Sequence, residues 1–174
     1  MRPDHEREYV EYVRARLPRL HRLAYLICAD AFAADDIVQA TLTALYVNWK
    51  RASAADNLDA YVHRIMVRRY IDERRRSWAK VLLSSHLPER AAAPAGDSFE
   101  ERDALVAALR ALPKGQRTVV ALRYFGDLSV EATAEALGCS VGTVKSQCAR
   151  GLAALRDVLE APAVASTQQA KGRS

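Results

Sequence analysis

The stretch from Leu128 to Leu155, LSVEATAEALGCSVGTVKSQCARGLAAL, constrains the fold more than any other part of the chain. Ser129 carries a hydroxyl that can accept from an orphan backbone amide. Glu131 follows in the first turn, where a carboxylate is favoured, so a short helix begins here. Gly138 stands where that helix should stop, because glycine adopts the left-handed conformation that ends helices without strain. Ser140 is a second good N-cap. The segment therefore predicts a helix, a tight turn and a second helix. Ala134, Gly138 and Val144 have the spacing of a helix-turn-helix: a small residue lets the helices cross, a glycine turns the chain and an aliphatic residue wedges between them.

The second helix divides into two faces. At roughly 100° per residue, Val141, Val144, Cys148, Leu152, Leu155 and Leu159 form one apolar stripe. Thr143, Ser146 and Arg150 lie opposite, with Gly142 and Gln147 beside them. Short polar side chains at the start and a basic residue further along suit a helix whose first turns enter a major groove and whose flank meets phosphate. The same pattern also fits an amphipathic hairpin with a solvated face, so the rest of the chain must decide.

The chain has 174 residues, enough for one medium domain or two small ones. Half its residues are hydrophobic and only 7 glycines and 6 prolines punctuate them. No segment alternates like a strand, so the fold class predicted is all-α. The net charge is +5, and the segment Tyr61 to Lys80 carries that much alone, with seven Arg or Lys against Asp72 and Glu73. The C-terminal part from Lys114 is also basic, and the stretch between is acidic. Two basic zones around an acidic middle fit a polyanion met at two places, although arginines that merely solvate helices give the same tally.

Cys28, Cys139 and Cys148 are odd in number and widely spaced, which is no disulfide framework. Each falls on or near an apolar stripe, so buried thiols are expected and metal ligation is not. There is no signal-peptide pattern and no apolar run of membrane-spanning length, so the expected location is the cytoplasm, without membrane insertion.

Val10, Val13, Leu17, Leu20, Ala24 and Ile27 recur at helical spacing and predict a long first helix, which Pro18 should kink or split. Residues Asp30 to Ala34 read as a connector, followed by helices from about Asp35 to Lys50 and from about Asp59 to Ser77, with a loop between. From about Lys80 to Ser98 the pattern dissolves into SSHLPERAAAPAGDS, a tether rich in Ala, Pro and Ser. Helices return at Glu100 to Leu112 and Lys114 to Phe125, with Pro113 suited to a helix start. The organisation expected is two small helical domains, 5–79 and 99–160, joined by a flexible linker, 80–98, with a disordered tail, 161–174.

Two of these helices carry more than core. The helix from Asp35 is apolar on two sides: Ile37, Ala40, Thr41, Ala44 and Val47 on one, and Val38, Leu42, Tyr46 and Trp49 on the other, alongside Asp35 and Gln39. A helix in a small bundle needs one buried stripe, so the second suits a protein partner, unless neighbouring helices cover both. The next helix carries Arg64, Arg68 and Arg75 in one stripe near Tyr61, while Val62, Ile65 and Met66 face a core. Arginine interleaved with aromatic residues can bind phosphates and stack on unpaired bases, or can simply be a solvated basic face. The four histidines, His5, His21, His63 and His86, lie at neither metal nor nucleophile spacing, and no phosphate-binding glycine loop occurs. Catalysis, cofactors and metals are therefore not expected.

These pieces in this order resemble the extracytoplasmic-function class of bacterial RNA polymerase sigma factors, of the sigma-70 family, in its actinobacterial SigE-type branch. ADDIVQATLTALYVNWKR resembles the polymerase-binding helix, DAYVHRIMVRRYIDERRR the helix that reads and melts the −10 element, and ALPKGQRTVVALRYFGDLSVEATAEALGCSVGTVKSQCARGLAALR the region-4 domain. The resemblance covers about residues 5 to 160, and GTVKS is its most specific part. It implies region 2 in the first domain and region 4 in the second. It places Asp35, Asp36, Val38, Gln39 and Leu42 against the clamp helices of the largest subunit of core polymerase. It gives the loop Asp56, Asn57, Leu58, Asp59 a flipped base of the −10 element, and Tyr61, Arg64, Arg68 and Arg75 the strand. Thr143, Lys145, Ser146, Gln147 and Arg150 would meet the −35 element. An anti-sigma factor is a further partner that the resemblance implies. The chain departs from the pattern at Arg68, where many members have Asn, at Glu73, where they have an aromatic or aliphatic residue, and at Gln147, commonly basic.

The alternative is a stand-alone helix-turn-helix regulator that needs no polymerase. Such proteins commonly dimerise, whereas the surplus apolar face here lies far from the helix-turn-helix in sequence, which favours the initiation factor.

Overall fold

The computed structural model describes residues 3–83 and 100–160, and every element among them is helical. The first group comprises α1 (Pro3–Cys28), α2 (Ala31–Val47), α3 (Trp49–Ala52) and α4 (Leu58–Leu83); the second comprises α5 (Glu100–Ala111), α6 (Lys114–Tyr124), α7 (Val130–Leu137) and α8 (Val141–Glu160). Residues 84–98 of the expected linker and the expected tail, 161–174, lie outside the described residues.

Of the two outcomes expected at Pro18, a kink or a split, the split does not occur: α1 is one helix with Pro18 inside it. Pro18 and Arg14 are both exposed, so water can serve the Arg14 carbonyl that has lost its donor. On either side, Tyr9, Tyr12 and Leu17, then Leu20, Leu23, Ala24, Leu26 and Ile27, pack on the core and hold both halves of the helix. The connector after α1 is also shorter than expected. Ala29 turns the chain in the left-handed region (φ 56°), and the Asp30 carboxylate accepts from the Ala33 amide at 2.7 Å, so α2 begins at Ala31. Asn57 starts α4 in the same way, its Oδ1 accepting from the Ala60 amide at 2.9 Å.

The helix-turn-helix forms as its spacing predicted. Ser129 Oγ accepts from Ala132 N–H at 3.0 Å, and Ser140 Oγ accepts from Thr143 N–H at 3.0 Å. Gly138 takes φ 65°, a conformation that a β-carbon disfavours. Val144 is fully buried against Ala134 and Val119. The stripe on α8 holds through Leu155 but ends there: Leu159, expected inside, is exposed with its neighbour Val158.

The two helical groups dock on each other. One apolar cluster runs from Leu20, Leu26, Val38 and Met66 in the first group to Leu109, Ala121, Leu122 and Leu128 in the second. Arg117 of α6 is buried at this seam, and among the described residues no carboxylate lies within ion-pair distance of it. Its guanidinium donates to the carbonyls of Arg110 (3.3 Å) and Ile27 (3.4 Å), at the C-terminal ends of α5 and α1. Helix C-termini carry partial negative charge, and they take the place of a counter-ion here. Arg110 donates to the Tyr25 hydroxyl at 3.2 Å, and Arg19 of α1 pairs with Asp127 in the turn before α7.

Candidate functional site

On α2 the structure sorts the two apolar faces differently from the sequence pattern. Ala34, Ile37, Val38, Thr41 and Leu45 form the buried stripe. Val38, expected to face a partner, is only 1% exposed and belongs to the core; Trp49 is buried too, edge-on to Tyr9. Val47, expected inside, is 75% exposed. The outward surface consists of Phe32 (74% exposed), Asp35, Asp36, Gln39, Thr43, Tyr46 and Val47. Leu42 is half-buried at its edge, where its carbonyl accepts from the Tyr9 hydroxyl at 3.0 Å. His21 Nδ1 lies 3.2 Å from the Asp35 carboxylate. Large apolar groups among carboxylates and an amide, on a rigid helix backed by core, suit a protein partner rather than solvent. Phe32 escaped the sequence reading because it sits in the stretch taken as a connector.

The first turns of α4 and the loop before them form a second surface. Asp56 and Asn57 are exposed, and Leu58 and Asp59 are half-buried. The Asp59 carboxylate is held by α1: Oδ1 accepts from the Tyr12 hydroxyl at 2.8 Å and from Arg16 Nε at 3.1 Å, and Oδ2 lies 3.0 Å from Arg16 Nη2. Tyr61 and Arg64 are half-buried, whereas Arg68 and Arg75 are exposed. Arg64 lies 4.0 Å from Glu135 of α7, so engagement of a nucleic-acid strand by Arg64 requires that contact to give. His63 is buried where α4 meets the turn at Gly126. Burial pushes its imidazole below the usual range, a hydrogen bond with the Gly126 backbone opposes this, and the net effect favours the neutral ring. No periodicity in the sequence marked His63, because its partner is a turn from the other helical group.

The third surface is the start of α8. Thr143, Lys145, Ser146 and Arg150 are exposed, and among the described residues neither basic head has a carboxylate within ion-pair distance. The hydroxyls are partly engaged: Ser140 Oγ and Thr143 Oγ1 are 2.9 Å apart, and Ser146 Oγ donates to the Thr143 carbonyl at 3.0 Å. Gln147 differs from its expected place on the open face. It is half-buried over the start of α6, where a β-carbon on Gly115 would stand 3.7 Å from Gln147 Cδ. Gly151, which the sequence reading passed over, is what lets α8 lie on α6. It is buried, and a β-carbon there would stand 2.8 Å from Val120 Cγ2.

All three cysteines are half-buried, and burial together with the nearby Asp30 pushes the Cys28 thiol up to about 12. Among the described residues no cluster of His, Cys, Asp or Glu could hold a metal ion, and no helix is long and apolar enough to cross a membrane.

The family model for sigma-70 region 2 matches residues 12–80, and that for sigma-70 region 4 matches residues 102–155. The chain is 36% identical over 154 residues to the RNA polymerase sigma-E factor of Streptomyces coelicolor, covering 88% of this chain and 87% of that protein. It is 30% identical to the ECF RNA polymerase sigma factor EcfG of Rhodopseudomonas palustris, covering 84% and 82%. Among solved structures it resembles the sigma factor RpoE in complex with the anti-sigma factor NepR from Bartonella quintana, with a TM-score of 0.72, 24% identity and coverage of 89% of this chain and 98% of that one. It also resembles CnrH in complex with the cytosolic domain of CnrY, with a TM-score of 0.57, 22% identity and coverage of 90% of each.

Proposed function

The chain belongs to the extracytoplasmic-function sigma factors of the sigma-70 family, and from this premise we propose how its surfaces divide the work. It binds core RNA polymerase and directs promoter-specific initiation through the −10 and −35 elements. The observation that carries the division is the presence, in one chain, of an outward face on α2 mixing apolar and acidic groups and of a helix-turn-helix whose free face bears Lys145 and Arg150, exposed and without an ion-pair partner among the described residues. The first suits a protein, the second a polyanion. A stand-alone regulator has no use for the first. Promoter-specific transcripts that need both core polymerase and this protein are the expected result; sequence-specific DNA binding with no transcription would reject the reading.

In this reading α1–α4 form region 2 and α5–α8 region 4, and the protein contributes binding rather than chemistry of its own. Asp35, Asp36, Gln39 and the edge of Leu42 meet the clamp helices of the polymerase, with Phe32 and Tyr46 extending the surface. Gln39→Ala, in the middle of this surface, should weaken core binding by about fivefold or more, because the few central side chains that dominate an interface each cost upward of about 1 kcal/mol on truncation, and Phe32→Ala at its margin should weaken it less. Their thermal melts should stay close to wild type. Val38→Ala should do the opposite, lowering stability by roughly 0.5–1.5 kcal/mol or somewhat more, as losses of buried methyl groups do, with core affinity per folded molecule retained.

The loop before α4, with Tyr61, Arg64, Arg68 and Arg75, serves the −10 element. Arg64→Ala and Arg68→Ala should impair open-complex formation more than attachment to polymerase, read by permanganate reactivity of the melted region. Glu135→Ala releases Arg64 and should shift melting the other way, by no more than a few-fold, since exposed ion pairs contribute about 1 kcal/mol or less. Normal melting with lost polymerase binding in the arginine variants would contradict the assignment. An anti-sigma factor is the expected inhibitory partner, and cytoplasmic action follows from the family role.

A further inference from the structure

We propose that Tyr12 and Arg16 of α1 are positioning residues for the −10 loop: they clamp Asp59 to α1, and Asp56 is thereby left as the loop carboxylate that meets a base. The proposal rests on the assignment of this loop to the −10 element and says which of its residues touch DNA and which hold it in place.

Of the four residues Asp56 to Asp59, which span the end of the loop and the first turn of α4, three are committed within the protein. Asn57 Oδ1 caps α4 through the Ala60 amide at 2.9 Å. Leu58 packs against the core. Asp59 has both oxygens engaged, Oδ1 by the Tyr12 hydroxyl and Arg16 Nε, Oδ2 by Arg16 Nη2. A guanidinium presenting two nitrogens to two carboxylate oxygens fixes direction as well as distance, and a phenol donating to the same carboxylate adds a third charge-assisted bond. Burial and the Asp59 carboxylate both hold the Tyr12 phenol in its protonated, donating form. Asp56 is exposed, and among the described residues no ion pair engages its carboxylate.

The clamp is built on a rigid base. Tyr12 and Arg16 are one helical turn apart and share a face of α1. The Tyr12 ring packs at 5.9 Å from the buried Trp49 ring, and α1 also backs α2. The loop is thereby tied to the same framework as the proposed polymerase surface. Placing a flipped base depends on the loop holding one shape before DNA arrives, and pre-ordering it removes that cost from melting.

The test uses holoenzyme assembled from core polymerase and the full chain, read on a promoter library in which each −10 base is varied, with core affinity measured alongside. Tyr12→Phe, Arg16→Ala and Asp59→Asn should each reduce discrimination at one and the same −10 position by about fivefold or more, within the range a single base contact supplies. They should keep the favoured base and leave core affinity unchanged. Arg16→Lys should recover part of the loss, and Tyr12→Phe combined with Asp59→Asn should be little worse than either alone. Asp56→Asn should change the order of preferred bases at that position. If Asp59→Asn reorders base preference at a position that Tyr12→Phe leaves untouched, Asp59 contacts DNA directly and the proposal fails. If the clamp variants weaken every promoter alike together with core affinity, the clamp is merely structural and the proposal fails. If no variant, Asp56→Asn included, alters preference at any −10 position while −35 preference persists, the loop is not the −10 reader and the underlying assignment falls with it.

Discussion

Gly151→Val should remove −35-dependent transcription by more than tenfold while leaving attachment to core polymerase through α2 in place. Gly151 sits in the middle of α8, buried against α6. A β-carbon there would stand 2.8 Å from Val120 Cγ2, 3.4 Å from Gln116 Cβ and 3.5 Å from the Gln116 carbonyl. Val120 is itself buried, and its branched side chain has little rotameric freedom with which to withdraw. The larger side chain can therefore be accommodated only if α8 lifts from α6, and overpacking of this kind costs roughly 1–3 kcal/mol. The same displacement carries Thr143, Ser146 and Arg150 with it, so the recognition face no longer meets the groove at its native angle. Gly151→Ala should show a milder form of both effects. Circular-dichroism melts, core-binding titrations and transcription from −35-dependent and −35-independent promoters separate the contributions. A valine variant that melts like wild type and keeps its −35 profile would show that α6 tolerates the displacement.

Gly151 also shows what in the sequence is legible and what its neighbours conceal. A glycine inside a helix costs about 1 kcal/mol relative to alanine, so its place in CARGLAAL was a signal of close helix approach. It was hidden by the stripe of Cys148, Leu152 and Leu155 around it. Gly138 was read correctly, because a glycine at a helix end has a local cause that needs no knowledge of the neighbour. The helix caps at Ser129 and Ser140 are local in the same sense, and they appear where the pattern put them. What failed depended on tertiary packing. Val38 and Val47 are both apolar and close in sequence on α2, and only the positions of α1 and α4 decide that one is buried and the other exposed. Pro18 is expected on local grounds to kink or split α1, and packing on both sides decides against the split. The shared core was equally out of reach: Leu109 and Ala121 announce a buried face but not that the opposite wall comes from the other helical group.

For the −35 element, two different signatures should distinguish side chains that read bases from those that meet phosphate. Thr143 and Ser146 lie outward in the first turns of α8, the part of a recognition helix that enters the groove, so loss of their side chains should alter preference at particular positions. Thr143→Ala is the sharper probe. It removes a methyl that can contact thymine and a hydroxyl now paired with Ser140, and a side chain contacting one base edge discriminates by about 1–3 kcal/mol. Lys145 and Arg150 are exposed and unpaired among the described residues, so each can release a counterion at a phosphate. Lys145→Ala should therefore weaken all promoters about equally and reduce the salt slope by about one phosphate contact. Gln147→Ala should alter preference less than Thr143→Ala, because Gln147 lies over Gly115 and must leave that position before it can reach a base. The variants are compared on a library of −35 sequences at two salt concentrations. A profile reshaped by Lys145→Ala and left unaltered by Thr143→Ala would mean that α8 enters the groove on a different face. In that orientation the bases would meet the side of α8 that carries Lys145 and Ala149, both exposed and turned away from α6, and the −35 residues would have to be reassigned around Lys145.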